Sequence, residues 1–110
     1  MPTLEQLQAA LRSFADDPIL HFSMANAYRD AGRPDEALHH YGEATRLKPD
    51  YSAAWFELAR LAEREGRLEV ARVAYAGAIE ASGGRGDDHI LNAAKLRLRR
   101  LDAKTGQSDR

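Results

Sequence analysis

The chain contains no cysteine, so disulfides and thiolate metal sites are excluded. Proline is scarce, with four residues at positions 2, 18, 34 and 49. Each falls where a helix would start or has just ended. Valine occurs only at Val70 and Val73, and no run alternates apolar with polar residues, so strand signals are nearly absent. No apolar stretch approaches the ~20 residues that a membrane-spanning helix needs. Neither sign of charge dominates: 16 Lys and Arg against 17 Asp and Glu leave a formal net charge of −1. That balance does not predict a nucleic-acid binder or a membrane-surface protein. The opening stretch, MPTLEQLQAALRSF, lacks the basic start and apolar run of a secretory signal. The expectation is a soluble cytoplasmic protein.

What is present argues for helices. The 110 residues fit one domain, and 44% apolar with 30% charged residues can build a core and excludes wholesale disorder. Alanine, leucine, glutamate and arginine dominate, all good helix formers. Thr3 and Gln6 form a capping-box pattern, followed by an apolar stripe of Leu4, Leu7, Leu11 and Phe14. Pro18 opens a second helix that stops at Gly32, and Pro34 opens a third that stops at Pro49. A fourth runs from about Ser52 to Glu65, with Trp55, Leu58, Ala59 and Ala62 facing inward. A fifth runs from about Leu68 to Ala81. GGRG at 83–86 breaks the chain, and Asp87 or Asp88 is placed to cap a last helix. Gly42 and Gly77 sit inside helices, each costing ~1 kcal/mol against alanine. A close helix–helix approach and tolerated drift explain them equally well.

The chain also repeats itself. RDAGRPDEALHHY at 29–41 returns as EREGRLEVARVAY at 63–75. Gly32 recurs as Gly66, Arg33 as Arg67, Ala37 as Ala71, Tyr41 as Tyr75 and Ala44 as Ala78, always 34 residues on. A pair of short helices cannot bury its own apolar faces, and stacked copies can.

On these residues the chain resembles a tetratricopeptide-repeat protein, whose pattern is Trp-x₂-Leu-Gly-x₂-Tyr, then Ala-x₃-Phe, then Pro. The second copy offers Trp55, Leu58, Ala59 and Ala62, then Ala71 and Tyr75, with Gly83 in the proline slot. The first offers His21, Met24, Ala25 and Tyr28, then Ala37 and Tyr41, then Pro49. His89 and Ala93 keep the same register in the last helix. The resemblance implies an all-α, right-handed α-α superhelix with two full helix-turn-helix repeats, about 18–51 and 52–85. A flanking helix stands at each end, about 3–15 and 87–102. Residues 1–104 form a single helical repeat domain, and 105–110 a frayed polar tail. Ala25, Ala59, Ala37 and Ala71 stand where paired helices must touch, and Tyr41 and Tyr75 plug the gaps between successive units. Trp55 is expected to be buried between its own helix pair and the preceding one.

No catalytic, cofactor-binding or metal-binding residue emerges. His39 and His40 are adjacent and point to different faces of a helix. His40 lies one turn after Glu36, but no third ligand is in view, so a solvated helix face is the better reading. His21 and His89 occupy packing slots and are expected to be half-buried. HExxH and GxSxG are absent, and GGRG lacks the Lys and Ser/Thr of a phosphate loop.

The binding reading rests on register. Phe22, Phe56 and Ile90 recur at the period of the repeat, each directly after a Trp slot. Asn26, Arg29, Arg60, Arg64 and Arg97 lie on or beside the same surface. The resemblance implies a concave groove lined by the first helix of each pair, and an apolar strip flanked by arginines suits an amphipathic or acidic peptide. Some relatives clamp a chaperone's C-terminal carboxylate. The matching slots here hold Phe22, Asn26, Glu57, Asp87 and Leu91, of which only Asn26 agrees, so that ligand class is disfavoured. The expected function is a non-enzymatic protein-interaction module that binds a peptide or helix, as a monomer. A scaffolding segment stacking through its terminal helices is the alternative. Nucleic-acid binding through KLRLRRLDAK ranks below both: from residue 85 on there are seven Lys and Arg against four Asp and Glu, but no aromatic is interleaved for base stacking.

Overall fold

The computed structural model describes residues 2–84 and 86–106. It contains six helices and, among the described residues, no strand. They are α1 (Leu4–Ser13), α2 (Pro18–Asp30), α3 (Pro34–Leu47), α4 (Ser52–Arg64), α5 (Leu68–Ser82) and α6 (Asp88–Thr105). Among the described residues no helix is long and apolar enough to cross a membrane. Contacts divide the chain into two compact units, Met1–Pro49 and Asp50–Arg110.

Local chemistry accounts for the helix ends. The Thr3 hydroxyl accepts from the Gln6 amide at 3.1 Å, and the Thr3 amide donates to Gln6 Oε1 at 2.9 Å, completing the capping box that starts α1. Asp17 caps α2 through the amides of Ile19 and Leu20. Pro18 and Pro34 take the first helical turn, where a missing N–H leaves no carbonyl unsatisfied. Both repeats then end their first helix identically. Gly32 and Gly66 take φ of 74° and 76°, which lets the Arg33 amide reach the Tyr28 carbonyl and the Arg67 amide the Ala62 carbonyl. That is the Schellman closure, in which a side chain at the left-handed position would be strained.

In the first unit α2 packs on α3 and α1, and in the second α5 packs on α4 and α6. The small slots are where the helices meet: Ala25, Ala37, Ala44, Ala59, Ala71 and Ala78 are all fully buried. Tyr41 and Tyr75 are the largest side chains wholly removed from solvent.

Several expectations are corrected. Phe14 is the C-cap of α1 and is 63% exposed; only Leu7 of that stripe is buried, because the helix stops before Phe14 can turn inward. Asp87 is the N-cap of α6 but makes no side-chain cap. Its carboxylate instead accepts from the buried Ser52 hydroxyl at 2.9 Å, tying the start of α6 to the start of α4. Helix α6 runs on through Thr105, whose hydroxyl donates back to the Leu101 carbonyl at 3.0 Å. Of the expected polar tail, residues 107–110 lie outside the described residues, as does Arg85 of GGRG.

Candidate functional site

Each unit sets an aromatic ring of its first helix against the tyrosine of its second. In the first unit the half-buried Phe22 ring stands 5.8 Å from that of Tyr41, tilted by 60°. In the second, Phe56 stands 6.0 Å from Tyr75 at 64°. The second pair has the edge-to-face geometry that aromatic quadrupoles favour, and the first is tilted towards it.

A buried tyrosine hydroxyl needs a partner, and each unit provides one differently. Tyr41 donates to Asn26 Oδ1 at 2.5 Å and accepts from Arg29 at 3.0 Å. Tyr75 donates to Glu63 Oε1 at 2.7 Å and is also hydrogen-bonded by Arg97. Burial first, and then the hydrogen bond to Glu63, push the Tyr75 phenol up to about 12, so it remains a neutral donor. Arg29 and Glu63 are register mates, so the network keeps its geometry while the acceptor and donor sides change.

The second unit adds cations. The Arg60 guanidinium carbon lies 5.9 Å from the Phe56 ring centroid and that of Arg97 lies 5.7 Å away. Both fall within cation–π range. Arg60 is held to Glu57 only loosely, at 3.4 Å. Helices α4 and α6, which carry the two arginines, are in contact. Of the expected groove residues the structure thus joins Phe22, Asn26 and Arg29 through Tyr41, and Phe56, Arg60 and Arg97 around Tyr75. Ile90 is half-buried on the same stripe of α6 as Arg97, two turns earlier. Arg64 stands apart: it is exposed and faces Glu65 at 3.9 Å. The two tyrosine hydroxyls are not among the residues expected from register. The signal for them was the choice of Tyr rather than Phe at both plug positions, since a buried hydroxyl implies a polar neighbour.

The histidine expectations divide. His21 is buried; its Nε2 donates to the Ala15 carbonyl at 2.7 Å, and its Nδ1 lies 3.0 Å from Nδ1 of His40. With Nε2 of His21 turned to a carbonyl, its Nδ1 is left to accept, and His40 Nδ1 donates to it. His40 is therefore not on a solvated face: it stacks on His21 and on Tyr28, with ring centroids 5.2 and 5.5 Å apart. His39 is exposed, as expected for the outer face. His89, expected half-buried, is exposed. Among the described residues no group of three or more His, Asp or Glu could hold a metal ion.

Trp55 is half-buried. Its indole lies on Gly77 and walls a cleft of about 270 Å³ with Leu58, Glu69, Val70, Val73 and Ala74. The cleft is a consequence of register: where the first unit has His40 against His21, the second has only the methyl of Ala74 against Trp55.

The helix pairs, the Schellman turns and the alanine contacts recur at one period, and residues 22–85 match the tetratricopeptide-repeat family model. The chain belongs to the tetratricopeptide-repeat family. A TPR repeat-containing protein of Pseudomonas aeruginosa is 29% identical over 99 residues, covering 90% of this chain and 94% of that one. The solution structure of protein BPP2914 from Bordetella parapertussis is 30% identical, with a TM-score of 0.73, over 94% of this chain and 90% of that one. The crystal structure of PcrH in complex with the chaperone-binding region of PopD shares the fold, with a TM-score of 0.86 at 16% identity, over 93% of this chain and 77% of that one. The family and the fold point to protein–protein interaction.

Proposed function

We propose that this repeat protein is a non-enzymatic cytoplasmic module that binds a peptide or helix of a partner protein on the face carrying Phe56. The observation behind this reading is the Phe56 ring itself. It is half-buried, braced edge-on by Tyr75, and overhung by the Arg60 and Arg97 guanidiniums. An aromatic surface fixed in place between two cations offers apolar contact and charge-based orientation at once. Tyr75 is held from both sides, by Glu63 and Arg97, so the platform is preorganised. A related fold in PcrH engages a segment of PopD, which supports the class of ligand and not its identity. Phe22 with Tyr41 is the in-register counterpart in the first unit.

The test is capture of a partner by wild type beside Phe56→Ala, followed by amide chemical-shift mapping with that partner. Shifts centred on Phe56, Arg60, Tyr75 and Arg97, and their loss in Phe56→Ala, support the reading. Shifts centred on His39, His40 and Arg72 overturn it.

Self-stacking has one observation in its favour. Phe14 and Ile19 are 63% and 62% exposed, an apolar surface at the start of the first unit. Sedimentation velocity over a wide concentration range decides it: stacking predicts a mass that grows with concentration and that Phe14→Ser holds down.

A further inference from the structure

On helices α2 to α5, arginines are answered by acids. Arg29, Arg33, Arg46, Arg60, Arg64 and Arg72 each have a carboxylate within 3.9 Å. Helix α6 departs from this pattern. It carries Lys95, Arg97, Arg99, Arg100 and Lys104, all exposed. Among the described residues none of these five has an ion-pair partner. The acids of α6 do not answer them: they are Asp88, in the first turn, and Asp102, which is bound to Arg72 at 2.8 Å.

The surplus has a direction. At 100° per residue, Arg97, Arg100 and Lys104 share one stripe, while Lys95 and Arg99 lie on another. Arg97 fixes where the first stripe points, because its guanidinium lies over Phe56. The stripe therefore begins at the aromatic platform and continues along α6 for roughly 10 Å at 1.5 Å per residue.

We propose that the Arg97–Arg100–Lys104 stripe docks an acidic segment of the partner protein, whose apolar side chain sits on Phe56 and whose carboxylates follow at helical spacing. This rests on the reading of the Phe56 face as the binding surface and adds the chemistry of what binds there. Charge complementarity selects the occupant: unanswered cations beside an apolar ring fit a segment that is apolar on one side and acidic on the other. A polypeptide fits better than a nucleic acid. The stripe is short, and residues 50–110 hold 11 Lys and Arg against 10 Asp and Glu, so no broad positive field surrounds it.

The probes are two short synthetic helices with leucine along one side, one carrying glutamate and the other glutamine at three successive turns of the opposite side. Binding is read by fluorescence anisotropy at low and moderate salt. The expected result is that the glutamate peptide binds about tenfold tighter at low salt, with the margin narrowing as salt rises. Arg97→Gln/Arg100→Gln/Lys104→Gln should erase the preference, and Lys95→Gln/Arg99→Gln should keep it. Circular dichroism establishes that both variants retain helix content. Equal binding of the two peptides, lost in Phe56→Ala, overturns the stripe and leaves the Phe56 reading standing. Failure of the glutamate peptide to bind wild type overturns the stripe as well, whatever the glutamine peptide does. So does erasure of the preference by the Lys95/Arg99 variant, or displacement of the glutamate peptide by a single-stranded oligonucleotide at equal charge concentration.

Discussion

The indole of Trp55 lies against the bare backbone of Gly77. A carbon added there would stand 2.5 Å from Cε3 of the ring, closer than any tolerated contact. Gly42, inside α3, has nothing within 4 Å of the same position. The two mid-helix glycines, indistinguishable by sequence, thus have different reasons to exist. Gly42→Ala should stabilise the protein by about 1 kcal/mol, the helix-propensity gain. Gly77→Ala should destabilise it by roughly 1–3 kcal/mol, because the overpacked indole must move. Chemical-denaturation midpoints of the two variants should shift in opposite directions; a shared direction would refute the contact.

Arg72 and Asp102 hold α6 to α5. They meet at 2.8 Å with the Asp102 side chain only 13% exposed, and Arg72 also reaches Glu69 at 3.6 Å. Removing the arginine leaves a largely buried carboxylate without its main partner, which costs about 1–3 kcal/mol. Arg72→Met should therefore speed amide hydrogen exchange in α6 more than in α2 or α3. Uniform acceleration across all helices would argue against a local tie.

The first unit should weaken in mild acid. His40 is pushed down to about 4, chiefly by burial and then by the neighbouring His21 and His39, against the opposing pull of Glu43 and Glu36. The folded chain then holds fewer protons than the unfolded chain between about 6.5 and about 4. Stability is accordingly full above about 6.5, falls as the pH drops through that window and levels off below it. Glu36 and Glu43 are themselves held below the usual carboxylate range, first by hydrogen bonds from Arg33 and Arg46, so they give up their charge later than ordinary carboxylates as the pH falls. Thermal midpoints measured from pH 7 to 4 should fall in wild type, and His40→Gln should flatten that fall. An unchanged slope in the variant would place the titration elsewhere.

Tyr75 should resist ionisation. Its phenol is raised to about 12 by burial and by Glu63. In an ultraviolet titration the Tyr75 step should come well above the ordinary phenol value near 10. Glu63→Gln takes away the charge beside the hydroxyl and should lower that late step. If the late step stays put, burial alone sets it.

Much of the architecture was legible from spacing. The six helices, the two glycine turns and the buried alanine slots all follow from interactions between residues a few positions apart, read at one repeated period. Capping boxes, proline at the first turn and glycine at the left-handed position act locally, so the sequence states them directly. The pairing of Phe22 and Phe56 at one register was legible from spacing, whereas the tyrosine hydroxyl partners that brace each ring were not.

What the sequence by itself determined is the repeat: helix boundaries, turn chemistry and the small residues that let paired helices touch, because each depends on backbone geometry within a turn or two. What only the tertiary structure decided is which distant side chains meet. Trp55 rests on Gly77, His40 on His21, the Asp87 carboxylate takes Ser52 instead of capping its own helix, and Arg97 crosses from α6 to Phe56 of α4. Those choices depend on how far apart packed helices stand and on which rotamer fills the space between them, quantities that no local pattern of residues contains.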